Sequence, residues 1–286
     1  MTQNSSSKIN INIAHSPDSD DAFMFYALKE KKIDLENFNF SFAAAEIAKL
    51  NQKALEGQNE FEIIAVSFAT LFDIEDEYEL MPSGTSFAGK DYGPKIICAD
   101  KDFAKLNDSQ ANLNNFTLAV PGKNTSAFLA TKAFLKENYH SQFQYIFCAY
   151  DEVFDLIDAN KANAALLIHE AQLKYQDYGF KLLVDLGVWW HTKTLGLNMP
   201  LGCNAIKKSL GKDNIKKLNK LLKDSILWGK ENFEEVKEYS RTFAQNNLDD
   251  FNAKKYLDMY VNETTIELKA KDYKSIELLK SFIKRQ

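Results

Sequence analysis

Short apolar or alternating stretches exchange with amphipathic stretches over most of the chain, and this exchange constrains the fold more than any other feature of the sequence. KININIA (8–14) and FNFSF (38–42) alternate apolar and polar residues, as half-buried strands do. Between them, DDAFMFYALKEKK has apolar residues at helical spacing. Strands that alternate with helices are typical of an α/β fold with largely parallel sheets, and we predict that fold class. Further predicted strands are FEIIAVSF, KIICA, FTLAVP, QYIFCAY, AALLIH and KLLVDLG, and further predicted helices are EIAKLNQKALEG, SAFLATKAFLKENY and DEVFDLIDANK.

The domain organisation follows from a change of character near residue 205, after which the sequence is rich in lysine, poor in predicted strands and helically periodic. Two short extended segments, residues 93–101 and 198–206, are candidates for hinge crossings between lobes. They predict two lobes around a central cleft, with residues 1–98 and 201–286 in the first lobe and residues 99–200 in the second. Ligands of such folds bind outside the carboxyl ends of the strands.

Charge and composition exclude several classes of protein. The 286 residues carry 35 basic and 40 acidic side chains, a formal net charge of −5, which does not favour binding to nucleic acid. No stretch approaches the ~20 apolar residues of a membrane span, and the first residues lack the apolar run of a secretory signal. The three cysteines have no CxxC spacing and are expected to be free thiols. We therefore expect a cytoplasmic protein with no metal and no cofactor; the sequence does not indicate an oligomeric state.

The first candidate for the site is SPDSDDAFMFYAL (16–28), which follows the first predicted strand. Serine and aspartate are preferred helix N-caps, and acidic residues in a first turn suit the helix dipole. The aspartates are therefore interpreted first as helix-starting residues. Ser16 is the better candidate for a ligand contact, because a hydroxyl binds a polar group without repelling an anion.

Two further strand ends carry hydroxyl groups. FEIIAVSF ends at Ser67, and FTLAVP runs into GKNTS, where a helix begins at or after Thr125. The free N–H groups of a helix start, together with the hydroxyls of Thr125 and Ser126 and with Lys123, offer a site for a carboxylate or phosphate. The spacing differs from GxxxxGK[ST] and GxGxxG, so no nucleotide is indicated. An ordinary threonine N-cap is the alternative interpretation, and both remain open.

A fourth strand, AALLI, ends in His169 and Glu170. A lone histidine is more often structural than catalytic. A neutral imidazole at the carboxyl end of a strand could nevertheless act as a general base near pH 7. The adjacent Trp189 and Trp190 are interpreted either as a wall of the cleft or as packing residues.

The order of these motifs resembles a known family, the 1,4-dihydroxy-6-naphthoate synthases of the futalosine route to menaquinone. The motifs are SPxxxDxF, a strand that ends in Ser, GP before a strand, PGxxT[ST]A, IHE, VDLGxWW and PLG. In this chain they are Ser16, Pro17, Asp21 and Phe23; Ser67; Gly93 and Pro94; residues 121–122 and 125–127; residues 168–170; residues 184–187 and 189–190; and residues 200–202.

The resemblance implies the two-lobed (type 2) fold of periplasmic solute-binding proteins. It also implies a carbon–carbon lyase that converts cyclic dehypoxanthine futalosine, a small anionic metabolite, into 1,4-dihydroxy-6-naphthoate and dihydroxyacetone. His169 is implied to accept the proton. Residues implied to contact the substrate are Ala65, Val66, Ser67, Thr125 and Ser126.

The sequence also departs from the family pattern, because SPDSDDAF stands where the family commonly has SPCPNDTF. Asp18 and Asp20 then add negative charge where an anionic substrate is expected, which is unfavourable if they point inward. Either they point outward as caps, or the substrate differs in detail. Two alternatives are retained: a cytoplasmic module that binds an anion without turnover, and the related chorismate dehydratase, whose Tyr, Leu and Asn run is missing from this sequence.

Overall fold

The computed structural model describes residues 8–57, 60–108, 110, 113–139, 143–243 and 249–283. The strands are β1 Ile9–His15, β2 Phe38–Ala44, β3 Ile63–Ser67, β4 Tyr78–Leu80, β5 Ser86–Ala88, β6 Lys95–Cys98, β7 Thr117–Val120, β8 Gln144–Phe147, β9 Ala164–Leu167, β10 Lys181–Asp185 and β11 Met199–Lys207. The helices are α1 Ser19–Lys29, α2 Ile47–Leu55, α3 Phe68–Leu71, α4 Asp100–Leu106, α5 Ser126–Asn138, α6 Val153–Asp158, α7 Leu186–Lys193, α8 Lys212–Glu231, α9 Phe233–Arg241, α10 Asp250–Tyr260, α11 Glu263–Ile266 and α12 Ala270–Ile283. Short 3-10 helices cover His169–Leu173 and Lys208–Leu210. The predicted α/β class is confirmed.

The chain forms two compact units. The first contains the residues up to Val66, Leu71–Ser86 and Gly202–Leu268, and the second contains Ser67–Thr70, Phe87–Leu201 and the residues from Lys269 on. Each unit is organised around its own sheet.

The sheet of the first unit has the strand order β2-β1-β3-β11-β4, and β5 also pairs with β11. β1 is parallel to β2 and to β3, with Ala14 opposite Ile64 in the second pair. β4 is antiparallel to β11. The carboxyl ends of β1 and β3 therefore lie at the same edge of this sheet.

Helix α1 forms the centre of the first unit's core. Every residue of α1 except the last is buried, and the helix packs against α8, α9 and α10. Gly229 of α8 allows this packing, because a β-carbon there would lie only 2.8 Å from the ring of Phe23. Apolar side chains from the sheet, including Ile11 and Ile13, complete the core.

The sheet of the second unit has the order β10-β6-β9-β7-β8. β7 lies between β8 and β9 and is parallel to both, whereas β6 is antiparallel to β9 and β10. A second core, which includes Ile97, Ala119, Val153 and Leu167, covers this sheet. The expectation of parallel pairing is therefore met by β7, β8 and β9, and not by the strands beyond them.

The division by contacts differs from the predicted lobes in two places. The segment at 93–101, expected to be a crossing, forms β6 and the start of α4, and β6 is held in the second sheet by β9 and β10. The last helix groups with the second unit, where Trp190 Nε1 donates to Ser275 Oγ at 3.1 Å. The segment at 198–206 does contain a change of unit, between Leu201 and Gly202.

Candidate active site

Three parallel strands of the second unit end at one edge of its sheet. Val120 at the end of β7 is opposite Phe147 at the end of β8, and β9 is in register with β7 on the other side. The segments that follow these strands are residues 121–125, 148–150 and 168–170. His169, Thr125 and Ser126, predicted separately from sequence, thus follow neighbouring strands of one sheet.

His169 has an unusual backbone conformation. It follows β9 after a single residue, begins the 3-10 helix and has φ +51°, in the left-handed region. Histidine enters this region more readily than β-branched residues do, yet a non-glycine residue there is uncommon and costs of the order of 1–3 kcal/mol. The ring is half-buried, whereas the next side chain, Glu170, is 1% exposed.

Tyr150 contacts this histidine. The two rings meet edge to face, with centroids 5.2 Å apart and planes inclined by 69°. Tyr150 comes from the end of β8, so it reaches His169 past the end of β7, the strand between them. Tyr150 is not among the candidate residues predicted from the sequence. Its position three residues after an apolar strand is the signal that could have identified it.

The N-terminus of α5 lies at the same edge. Thr125 is the N-cap: its Oγ1 accepts from the N–H of Phe128 at 3.1 Å and donates to the carbonyl of Gly122 at 3.3 Å. Ser126 Oγ donates to the carbonyl of Leu201 at 2.7 Å and accepts from the N–H of Ala69 at 3.2 Å. Both hydroxyls therefore already bind protein groups, and their contact with a substrate stays a prediction.

The segment Ser67–Thr70 belongs to the second unit and lies against the start of α5. Besides the Ala69 contact, Thr70 Oγ1 donates to the carbonyl of Asn124 at 3.0 Å. Ser67 itself is 4% exposed. The structure thus brings the segment that begins with Ser67 together with Thr125 and Ser126, as a shared site requires.

The remaining predicted ligand residues belong to the first unit. Ala65 and Val66 are buried in β3, and Ser16 follows β1, the strand parallel to β3. The N–H of Ser16 donates to Asp21 Oδ2 at 2.6 Å, and its carbonyl accepts from His15 Nδ1 at 2.8 Å. Ser16, Ala65 and Val66 therefore lie at one edge of the first sheet.

The three aspartates after Ser16 act as helix-starting residues. Asp18 is the N-cap of α1 and accepts from the N–H of Asp21 at 3.3 Å, while Asp21 closes the turn onto Ser16. Asp20 Oδ1 accepts from the hydroxyl of Tyr256 at 3.2 Å. The interpretation as a cap is therefore supported for Asp18, whereas Asp20 and Asp21 lie in the first turn of α1 and accept hydrogen bonds from Tyr256 and Ser16.

The same aspartates form a group in which ligand atoms lie within 4.8 Å of one another, close enough to hold a metal ion. All three side chains are buried, at 6–8% exposure. The N–H groups of Ser16 and Asp21 and the hydroxyl of Tyr256 donate hydrogen bonds to these carboxylates.

Burial shifts the pKa values of His15 and of the three cysteines. It lowers the pKa of His15, and the hydrogen bond to the Ser16 carbonyl opposes this only in part. It raises the pKa of the Cys98 thiol to about 12 and that of Cys148 to about 11, and it also raises the pKa of Cys203. All three cysteines are free, as predicted, and burial keeps them as thiols, so they are poor nucleophiles.

Several residues of the family motifs have structural roles, in close backbone contacts or in packing. A β-carbon at Gly187 would lie 2.2 Å from the carbonyl oxygen of Tyr92, and one at Gly93 would lie 2.5 Å from the nitrogen of Gly187. Trp190 is fully buried, and Trp189 is half-buried and meets Phe134 edge to face at 5.8 Å. Both tryptophans therefore pack within the second unit.

Comparison with known proteins identifies the family. A family model described as menaquinone biosynthesis matches residues 11–285. The chain belongs to the menaquinone biosynthesis family. The resemblance inferred from the motifs is thereby confirmed.

Relatives of this menaquinone biosynthesis protein agree with the assignment. A curated 1,4-dihydroxy-6-naphtoate synthase from Thermus thermophilus is 29% identical over 258 residues, which cover 90% of this chain and 88% of the relative. A crystal structure of an Archaeoglobus fulgidus protein has a TM-score of 0.85 at 30% identity and covers 96% of this chain and 97% of that one.

The fold is shared more widely. A Candida albicans protein described as having the generic periplasmic binding protein fold has a TM-score of 0.66 at 12% identity, over 97% of this chain and 94% of that one. At this identity the likeness concerns the fold alone, and it confirms the predicted periplasmic-binding-protein-like class. Over the part of the chain that the structure describes, no helix is long and apolar enough to cross a membrane.

Proposed function

We propose that this menaquinone biosynthesis protein is a 1,4-dihydroxy-6-naphthoate synthase. In this role it is a carbon–carbon lyase that releases 1,4-dihydroxy-6-naphthoate and dihydroxyacetone from cyclic dehypoxanthine futalosine. The observation that carries the proposal is the family match over residues 11–285, with a curated relative of that activity aligned along 90% of the chain.

His169 is the proposed general base. A carbon–carbon cleavage that begins with removal of a proton needs a base whose neutral form is populated near pH 7, and imidazole meets that need. Its place at the carboxyl edge of three strands and its left-handed backbone support this role. Strain of this kind is found more often at functional sites than elsewhere.

The start of α5 is the proposed binding site for the substrate carboxylate. The N–H groups of a helix's first turn and the positive end of its dipole favour an anion. In the 13-residue α5 the Thr125 hydroxyl caps the helix and the Ser126 hydroxyl binds Ala69 and Leu201, so we assign the anion contact first to backbone N–H groups. The full set of proposed contact residues is Ser16, Ala65, Val66, Ser67, Thr125 and Ser126.

A cytoplasmic location is part of the proposal. The three cysteines, all within the described residues, are free thiols, and this suits a reducing compartment. The net charge of −5 favours neither nucleic acid nor an acidic membrane surface as a partner.

The test is turnover by the purified protein. With cyclic dehypoxanthine futalosine as substrate, we expect naphthoate and dihydroxyacetone in equal amounts. His169→Gln is expected to lower kcat by at least about 100-fold, since general-base catalysis contributes 10²–10⁴-fold. His191→Gln, a change of the same type on the half-buried face of α7, is the matched control and should retain activity.

Other outcomes separate the alternatives. Thermal stabilisation by the substrate without product would identify a binding module. Consumption of chorismate instead would identify a chorismate dehydratase. Full activity of His169→Gln would remove this histidine from the chemistry.

A further inference from the structure

We infer that Tyr150 is a positioning residue, whose ring fixes the plane of the His169 imidazole. The observation is the edge-to-face contact between the two rings, 5.2 Å between centroids with planes inclined by 69°. The inference rests on the proposed function, because it takes His169 as the base.

Tyr150 is itself held firmly enough for this task. Its side chain is 8% exposed. The residues before it are tied to the sheet and to the next helix: the N–H of Cys148 donates to the carbonyl of Val120 at 3.2 Å, and the N–H of Ala149 donates to Glu152 Oε2 at 3.0 Å. Tyr150 therefore lies in a short loop directly after β8, and these hydrogen bonds anchor that loop.

His169 needs such a contact because its backbone does not orient its ring. The φ of +51° sets the direction of the Cα–Cβ bond. The terminal torsion of a histidine side chain is broad, so the ring plane is set by its surroundings. A half-buried imidazole that must point a nitrogen at one substrate proton gains from a neighbour that selects a single plane. Aromatic pairs prefer the edge-to-face arrangement seen here.

The hydroxyl of Tyr150 is not required by this inference, and that separates positioning by the ring from chemistry by the phenol. Tyr150→Phe keeps the ring, and we expect kcat within about twofold of the parent. Tyr150→Leu removes it, and we expect kcat to fall about tenfold while KM changes less than about threefold, because orientation acts on the chemical step.

The controls address folding and general loss of an aromatic pair. Tyr178→Leu removes a ring that stacks on Phe154 at 4.9 Å on an exposed part of the same unit, and it should leave kcat unchanged. If Tyr150→Leu does not give a native circular dichroism spectrum and melting transition, Tyr150→Met replaces it, since methionine fills the space without a ring.

A measurement that needs no turnover completes the test. The His169 imidazole resonances, assigned by their absence in His169→Gln, should shift in Tyr150→Leu and keep their positions in Tyr150→Phe. Unchanged resonances and unchanged kcat in Tyr150→Leu would overturn the inference, and so would a rise in KM alone or a tenfold loss of kcat in Tyr150→Phe. Failure of the proposed function has a different signature, an active His169→Gln.

Discussion

Asp185, the last residue of β10, forms an ion pair with Lys95 of β6 and is the N-cap of α7. Its replacement therefore tests how much these two interactions stabilise the second unit. The antiparallel pair β6–β10 has a Lys–Asp ion pair near each end. In one, Lys95 and Asp185 are 13% and 9% exposed; in the other, Lys181 and Asp100 are 52% and 78% exposed. Asp185 Oδ1 also accepts from the N–H groups of Gly187 at 2.9 Å and Val188 at 3.1 Å, as the N-cap of α7. The two pairs differ in burial and in this capping role.

The expected magnitudes follow from that difference. Asp185→Ala loses the cap, at about 1 kcal/mol, and leaves the Lys95 ammonium largely buried without its carboxylate, at about 3 kcal/mol. The sum of about 4 kcal/mol is a large part of the 5–15 kcal/mol typical of a folded protein. Asp100→Ala breaks only a solvated pair and should cost under about 1 kcal/mol.

The assay is urea unfolding at pH 7, followed by circular dichroism, for both variants. Lys95→Met in the Asp185→Ala background removes the buried, unpaired ammonium. It should restore about 3 kcal/mol of the free energy of unfolding, so that only the loss from the missing cap remains. Added salt should weaken the contribution of Asp100 and leave that of Asp185 nearly intact, because buried pairs are screened less. Equal, small effects of the two alanine variants, or no recovery by Lys95→Met, would refute the reasoning.

Two further predictions concern stability. Gly187→Ala should lower the free energy of unfolding by about 2 kcal/mol, because overpacking against the Tyr92 carbonyl outweighs the gain in helix propensity. Thermal denaturation measures this loss. Gly202→Ala is the control and should be tolerated, since a β-carbon there would have its nearest contact at 3.8 Å. Burial lowers the pKa of His15 in the folded state, so the unfolded state binds more protons below its own pKa of about 6.5. Stability should therefore be fully present above about pH 6.5 and decline as the pH falls toward the folded-state pKa. His15→Asn should make the urea midpoint less dependent on pH between 5 and 7, and an unchanged dependence would contradict this assignment.

Strands with a clear period were predicted well because one face of each is buried. KININIA and FNFSF correspond to β1 and β2. The three-residue strands β4 and β5 are too short to show a period, and their pairing with β11 is set by distant segments. Helix α1 could not be placed at the centre of a core from its pattern alone, because a helix buried on all sides has no polar face to mark its orientation.

From the sequence, a candidate residue could be selected where its side-chain chemistry alone suggests a role, and not where the role depends on the arrangement of several segments. His169 could be selected because an imidazole at a strand end has an evident use. Tyr150 could not, since a tyrosine after a strand becomes informative only when the order β9-β7-β8 brings its ring to the histidine. The hydrogen bonds of the Ser126 hydroxyl likewise depend on partners distant in sequence, at Ala69 and Leu201.

The structure also changes how far Asp18 and Asp20, which depart from the family pattern, count against the proposed substrate. From the sequence, Asp18 and Asp20 were charges whose repulsion of an anionic substrate would count against the assignment. In the structure Asp18 caps α1 and Asp20 accepts a hydrogen bond from Tyr256 of α10, so each has a role in holding the first unit's helices. Two other motif aspartates, Asp21 and Asp185, accept hydrogen bonds from backbone N–H groups. The motif glycines Gly93 and Gly187 allow close contact between backbone segments. Much of the motif pattern is therefore a requirement of the fold. A departure at two helix-starting positions therefore argues for a different way of fixing α1 before it argues for a different substrate.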